Sequence, residues 1–320
     1  MPQLNLIEMS VSDVIGVPET GLFASNVWLQ NMSQTRNLRL HGLQNKDRKL
    51  IAFWGWEESR KYGIKTVKTP SFSPTIPFWV SRENCSPTGN GSKIKNIMGV
   101  LAEDLRAAGG IVSVALPVGV CDTQPFTWQG FKVIVRHTYR LSLEKSEAEI
   151  FAGYTSKRRN DIFRARRGGV KVSICNDLEP AYSLICQSLS RKTPGFDAKL
   201  VYNIMNQFIN SRQYICCIAI DKGEPVAASF CIYDQHVAYY LLSGYNKEAD
   251  SIGAGPSTLH QCILEARARG LSVFDFEGSM LPEIEFYFRG FGPSLTPYFV
   301  VNRAPLVLEM GLKLFRRTDF

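Results

Sequence analysis

The sequence predicts two mixed α/β domains in tandem, on three observations. The chain has 320 residues, more than one typical domain and about right for two. Hydrophobic residues make up 45%, including 19 Phe, so a sizeable core is available and disorder is not the default. One order of elements runs through the chain twice: antiparallel strands, a loop, a helix and a further strand. No repeat of the residues themselves accompanies it.

In the first half, residues 49–56 and 62–68 read as strands. A polar, Pro- and Gly-rich stretch runs from Pro70 to Gly91. Ile94, Ile97, Met98, Leu101 and Leu105 recur at helical spacing over 92–108, and Gly109-Gly110 stops that helix. Residues 111–116 and 131–141 read as further strands. The second half is clearer. Residues 146–167 read as one helix closed by Gly168-Gly169, followed by strand 170–174, helices 178–190 and 197–211, and strand 213–220. Strands 226–233 and 236–243 form a hairpin around Asp234-Gln235. A loop at 244–255 leads into helix 256–269, stopped by Gly270. Strand 272–276, short helix 281–288 and strand 296–301 complete the unit. The expected boundaries are 1–143 for a first domain, 144–302 for a second and 303–320 for a tail. That tail carries Arg316-Arg317 and reads as a terminal helix.

The formal charge of +8 and a pI near 9.0 favour acidic partners: RNA, nucleotide-bearing substrates or an anionic membrane surface. The eight cysteines (Cys85, Cys121, Cys175, Cys186, Cys216, Cys217, Cys231, Cys262) form no CxxC pair, and most sit in apolar runs. Reduced thiols in a cytosolic protein are expected. His41, His137, His236 and His260 have no metal-ligand spacing with a cysteine or one another, so no metal is expected. The N-terminus lacks the basic-then-apolar pattern of a secretory signal. No apolar run approaches the roughly 20 residues that span a bilayer. The expected location is the cytoplasm, at most peripheral to the inner membrane face.

Three stretches carry a family resemblance. They are Tyr154-Thr-Ser-Lys-Arg-Arg-Asn-Asp-Ile-Phe-Arg-Ala-Arg-Arg-Gly-Gly-Val-Lys-Val172, then Ser251-Ile-Gly-Ala-Gly-Pro-Ser257, then Asp275-Phe-Glu-Gly through Phe291-Gly292. In that order they resemble the GNAT-fold acyltransferases of the FemABX, or peptidyltransferase, type. The likeness covers residues 146–302. Before that, only Phe23 to Trp28 and Ser73 to Trp79 resemble the group's first domain. The resemblance implies a mixed α/β sheet in two tandem GNAT-like (acyl-CoA N-acyltransferase) domains, the first degenerate. It implies transfer of an acyl or aminoacyl group to an amine, often on a cell-envelope precursor. The donor substrate is acyl-CoA or an aminoacyl-tRNA, with no tightly bound cofactor. The chain departs from the pattern in three places. Phe288, next to Arg289, stands where a lysine often precedes the Phe-Gly. Ser251 and Ile252 stand where the loop usually has a basic residue. Leu29-Gln30-Asn31-Met32 follow Trp28 where a lysine is usual, so acceptor recognition differs.

Several side chains are candidates for the chemistry. Gly253, Ala254 and Gly255 precede or open a helix, with Ser257 and Thr258 as hydroxyl donors. Backbone N–H groups at a helix start suit a donor phosphate. An ordinary Gly-Pro helix start is the alternative. Asp275 and Glu277 fall on the same side of a strand end, where a carboxylate serves as general base for an attacking amine. Alternatively, Asp275 caps the next turn and Glu277 binds a backbone amide or Arg289. Tyr239, Tyr240, Ser243 and Tyr245 line the preceding strand. There Tyr239 is a candidate general acid and Tyr245 a substrate contact, unless these aromatics only pack the sheet. Arg158 falls inside an apolar helix arc with Asp161 at i+3. This is either a structural ion pair or a fork that grips a phosphate or carboxylate. Arg289 is a second candidate for substrate binding. In the first half, Trp54, Trp56, Trp79 and the Ser71–Trp79 loop form either a binding surface or a Trp-rich core.

The expected function is N-acyl transfer from acyl-CoA to an amine of a small molecule or of a cell-wall or polysaccharide precursor. The amine attacks directly, in an interdomain cleft near Arg158, Tyr239 and Glu277, with no covalent enzyme intermediate. DNA is not an expected partner. Two other readings stay open: an aminoacyl-tRNA-dependent peptidyltransferase on a peptidoglycan precursor, and a non-catalytic GNAT-fold binding module.

Overall fold

The computed structural model describes residues 4–35, 37–61, 63–81, 87–193, 195–278 and 281–315. The chain divides into two compact units: unit 1 is residues 1–136 with 297–320, and unit 2 is residues 137–296.

Unit 1 contains β1 (Asn5–Met9), α1 (Asn26–Thr35), β2 (Leu38–Gln44), β3 (Leu50–Lys61), β4 (Ile64–Lys68), β5 (Phe78–Val80), α2 (Pro87–Ala108), β6 (Ile111–Ala115) and α3 (Gln124–Trp128). Unit 2 draws on β7 (Lys132–Ser142), α4 (Glu147–Ala152), α5 (Ser156–Arg167), β8 (Lys171–Ile174), α6 (Leu178–Lys192) and α7 (Ala198–Asn210). It continues with β9 (Tyr214–Asp221), β10 (Glu224–Tyr233), β11 (Val237–Tyr245), α8 (Ala254–Ala268), β12 (Val273–Asp275) and α9 (Pro282–Arg289). β13 (Ser294–Arg303) and α10 (Leu306–Phe315) return the chain to unit 1.

The strand order is β1-β2-β3-β4-β6-β13 in unit 1 and β7-β12-β11-β10-β9-β8 in unit 2. Each order contains one parallel pair, β4 with β6 and β11 with β12. Pairing explains why the units do not divide at 143/144. Arg140–Ser142 of β7 pair with β12, and Val300–Arg303 of β13 pair with β6, so each strand belongs to the sheet it completes. Residues 303–320 are accordingly part of unit 1, with α10 ending at Phe315; Arg316 and Arg317 lie outside the described residues.

The single helix expected over 146–167 is two. Ser146 opens α4 with a capping box: its Oγ accepts the Glu149 N–H while the Glu149 carboxylate accepts the Ser146 N–H at 2.9 Å. Gly153 closes that helix, and Thr155 restarts the chain by accepting the Arg158 N–H on its hydroxyl. In unit 1, Trp54 and Trp56 are core residues. The Trp54 indole donates to Asp104 at 2.7 Å, and His41 Nδ1 lies 2.6 Å from the same carboxylate. Trp79 is half-buried and donates to the Pro18 carbonyl. Cys175, Cys216, Cys217, Cys231 and Cys262 are buried free thiols; Cys85 lies outside the described residues. Among the described residues no helix is long and apolar enough to cross a membrane.

Candidate functional site

β11 and β12 run parallel only over Val237–Tyr239 and Val273–Asp275. β12 ends there, while β11 continues to Tyr245. The edge of β11 beyond Tyr239 is therefore left without a strand beside it. On its other edge Phe230 pairs with Leu242 but Cys231 pairs with Tyr240, so Leu241 is a bulge residue with no opposite partner. The extra residue resets the alternation. Tyr240, Ser243 and Tyr245 all line one cavity of about 510 Å³.

Gly244 faces the other way, toward α6. A Cβ there would lie 2.2 Å from the Leu184 carbonyl oxygen, so only glycine lets helix and strand approach this closely. α6 also holds the end of β11. Ser188 Oγ accepts the Tyr245 N–H at 3.0 Å, and Arg191 donates to the Tyr245 carbonyl at 2.9 Å.

α8 and α9 supply the rest of the cavity wall through Ala254, Gly255, Pro256, Thr258, Glu283, Ile284, Tyr287 and Phe288, with Lys192, Lys247 and Asp250 also lining it. Gly253 begins α8 with φ +87°, and a Cβ there would lie 2.0 Å from the Asp161 carbonyl of α5. A Cβ at Gly255 would meet only Tyr287 Oη, at 3.8 Å. The helix start offers few free donors. The Ala254 N–H goes to Ser251 O, Pro256 has no N–H, and the Ser257 N–H returns to Gly253 O. Gly255 alone of the three residues opening α8 keeps an N–H with no acceptor among the described residues. Ser257 Oγ bonds the Gly253 carbonyl at 2.8 Å, and Thr258 Oγ1 bonds Gly255 O at 2.9 Å and Ser229 Oγ at 2.8 Å. Of the five residues expected at a phosphate, Ala254, Gly255 and Thr258 line the cavity; Gly253 and Ser257 build the helix start.

Burial raises the Tyr240 phenol above its ordinary pKa, against the hydroxyls of Ser243 and Ser229 beside it. Burial raises Tyr287 likewise. Both phenols therefore stay protonated and act as donors at neutral pH.

A second polar group stands at the end of β12. Asp275, 4% exposed, accepts from Thr138 Oγ1 at 2.6 Å and from the Glu277 N–H at 2.8 Å, and lies 3.3 Å from Arg140 Nε. Asp275 thus caps the turn after β12. Glu277 is unusual in three ways. Its backbone is left-handed at φ +59°, its Oε1 is enclosed with no hydrogen-bond partner, and burial next to Asp275 holds its carboxyl well above the usual range. Tyr239 lies opposite Asp275 in the register. None of Tyr239, Asp275 and Glu277 lines the cavity; Tyr240 does.

Arg158 does not line it either. Its guanidinium is enclosed, stacked 4.3 Å from the Tyr287 ring and 4.9 Å from the Phe291 ring, and donates to Asp161 at 3.2 Å and to Tyr287 O at 3.1 Å. Arg289 is exposed and pairs with Glu285 at 2.9 Å, and Glu285 accepts from the Tyr139 hydroxyl.

Residues 156–289, which include the separated strands and both cavity helices, match the family model described as an acetyltransferase (GNAT) domain. Among solved structures, FemX aligns over 98% of this chain and 99% of its own, with a TM-score of 0.66 at 11% identity. The chain has the tandem GNAT fold. The L-PGS of Bacillus licheniformis shares it at TM-score 0.59 and 13% identity, covering 97% of this chain and 96% of that one. So does a tandem GNAT protein from the clavulanic acid biosynthesis pathway, at TM-score 0.54 and 10% identity over 94% and 98%. At these identities the likeness is one of fold. No curated protein sequence matches the chain. The cavity residues Glu283, Tyr287, Lys192 and Lys247 were not legible as site residues. No motif marks them, and the bulge that selects Tyr240 over Tyr239 has no sequence signature.

Proposed function

We propose that unit 2 is an N-acyltransferase that takes acyl-CoA into the cavity beside β11 and passes the acyl group to an amine. The observation that carries the reading is the parting of β11 from β12 above that cavity. An extended donor arm with amide groups pairs with a bare strand edge as another strand would. The acyl carbonyl then lies near Leu241, whose backbone has no opposite partner in the register. The amine lone pair attacks the carbonyl carbon and the carbon–sulfur bond breaks. The leaving thiolate takes a proton from Tyr240, and the proton lost by the amine passes through water to Glu277, which stands outside the cavity lining. Glu277 is proposed for the role because burial beside Asp275 raises its carboxyl pKa and so makes it more basic than an ordinary glutamate. The proposed acceptor is an amine of a small molecule or cell-envelope precursor, and the net charge of +8 suits substrates that carry phosphates.

A second reading, an aminoacyl-tRNA donor, has one observation in its favour. Ser251 and Ile252, directly before the start of α8, carry no positive charge for a pyrophosphate, which leaves Lys192 and Lys247 as the cations lining the cavity. The test is amine-dependent thiol release from a panel of acyl-CoAs, run beside deacylation of charged tRNA. Turnover with a CoA ester supports the first reading. Turnover with tRNA alone replaces it, and turnover with neither removes both.

A further inference from the structure

Unit 1 carries a row of polar residues across four neighbouring strands. The registers set Glu57 of β3 opposite Lys68 of β4, Lys68 opposite Ser113 of β6, and Ser113 opposite Asn302 of β13. The alternate positions Val67, Val112, Val114 and Val301 are buried in one core cluster with residues of α2, so the row faces the other side of the sheet. That side is not simply solvent: Glu57 is 4% exposed and Asn302 1%. Buried polar groups cost free energy unless they are partnered, and an apolar row would pack such a face without that cost. Lys68 Nζ lies 3.1 Å from Glu57 Oε1, and the Ser71 N–H donates to Glu57 at 3.2 Å.

Over the remainder opens a cavity of about 320 Å³, lined by Lys68, Thr69, Ser73, Ser113, Arg136 and Asn302 with a few apolar atoms. Like the cavity in unit 2, it opens where a parallel pair ends, but on the sheet face away from the helix that follows the first strand of the pair. β4 and β6 are the parallel pair of unit 1, and their register ends at Lys68 and Ser113 as that of β11 and β12 ends at Tyr239 and Asp275. Its chemistry differs. The lining holds two cations and, among the described residues, no carboxylate. The loop after β4 forms one wall, fixed where the Trp28 indole donates to Ser73 Oγ at 2.9 Å.

We infer that this cavity is a second binding site, for a small molecule that carries an oxyanion, phosphate or carboxylate, on a hydroxylated body. Lys68 and Arg136 meet the anion through charge-assisted hydrogen bonds. Thr69, Ser73, Ser113 and Asn302 meet the hydroxyls. Glu57 is a positioning residue that holds the Lys68 ammonium in the row. The inference is independent of the acyl transfer proposed for unit 2.

Isothermal titration of the full chain with glucose 1-phosphate, gluconate and glucose tests it. At least one anion binds and glucose does not; the two anion arms tell phosphate from carboxylate. Arg136→Gln weakens that binding by roughly tenfold or more, the scale of one lost charged hydrogen bond. Ser113→Ala, a conservative change that keeps the fold, weakens it measurably. Gly255→Glu, in the other unit, leaves it unchanged. Circular dichroism confirms that each variant is folded. No binding of either anion, equal binding of glucose, unchanged binding in both unit 1 variants, or loss in Gly255→Glu overturns the proposal.

Discussion

Replacing Glu277 by Gln should stabilise the protein and impair it as a catalyst. The substitution keeps the side-chain shape and the left-handed backbone, so strain at φ +59° cancels between variant and parent. What changes is charge. Oε1 of the half-buried carboxyl is enclosed and has no partner, and its folded pKa lies well above the ordinary 4.5 because of burial and the adjacent Asp275. A group raised in this way contributes its full stability below the unfolded value and loses it as pH rises through the folded value. The wild type is therefore penalised progressively above pH 4.5, and the glutamine variant is not. An unsatisfied buried polar group costs about 1–3 kcal/mol. A unit of this size shifts by about 2–4 °C in Tm per kcal/mol. The Tm difference should be near zero at pH 4, then favour Glu277→Gln by several degrees at pH 8. Turnover should fall by roughly 100-fold or more, the usual contribution of a general base, with donor affinity little changed. Scanning calorimetry across pH, with acyl-transfer assays at pH 8, gives both readouts. A Tm difference independent of pH would refute the buried-charge argument, and unchanged turnover would refute the base.

Three further substitutions probe the geometry. Tyr240→Phe removes the phenol that lines the cavity and should lower kcat with every CoA ester, since each releases the same CoA thiolate; equal loss in Tyr239→Phe would contradict the assignment. Arg158→Met leaves Asp161 without its guanidinium and removes the stack on Tyr287 and Phe291. It should cost about 1–3 kcal/mol in urea unfolding, whereas a large loss of donor affinity at unchanged stability would make Arg158 a ligand contact. Gly253→Ala forces a Cβ to 2.0 Å from the Asp161 carbonyl at φ +87°. It should lower the unfolding free energy by more than the roughly 1–2 kcal/mol of left-handed backbone alone and weaken donor binding, and a neutral effect on both would contradict the tight α5–α8 approach.

Much of unit 2 was legible because its signals are local. Gly168-Gly169 and Gly270 end helices, Asp234-Gln235 turns a hairpin, and apolar spacing marks α6 and α7. The unbroken helix over 146–167 failed where apolar periodicity continues straight through Gly153-Tyr154-Thr155; the interruption rests on caps that periodicity does not register. The boundary shifted because β7 and β13 are assigned by partners distant in sequence. In the site, Arg158 with Asp161 was legible at i+3, but the rings that enclose it lie far along the chain. Asp275 and Glu277 were legible as a pair. The parity of β11 was not, since a one-residue bulge at Leu241 decides which tyrosine meets the cavity.

The central claim is that the cavity beside β11 receives the acyl donor. The most direct measurement is titration of acetyl-CoA and longer acyl-CoAs into the wild type and into Gly255→Glu, followed by calorimetry and by thermal shift. The added side chain points where a Cβ meets only Tyr287 Oη at 3.8 Å, so it fills the cavity mouth without disturbing a packed contact. The account predicts that a CoA ester binds the wild type, raises its melting temperature by mass action, and does neither with Gly255→Glu. Binding that survives in Gly255→Glu, or no binding of any CoA ester to the wild type, would contradict it.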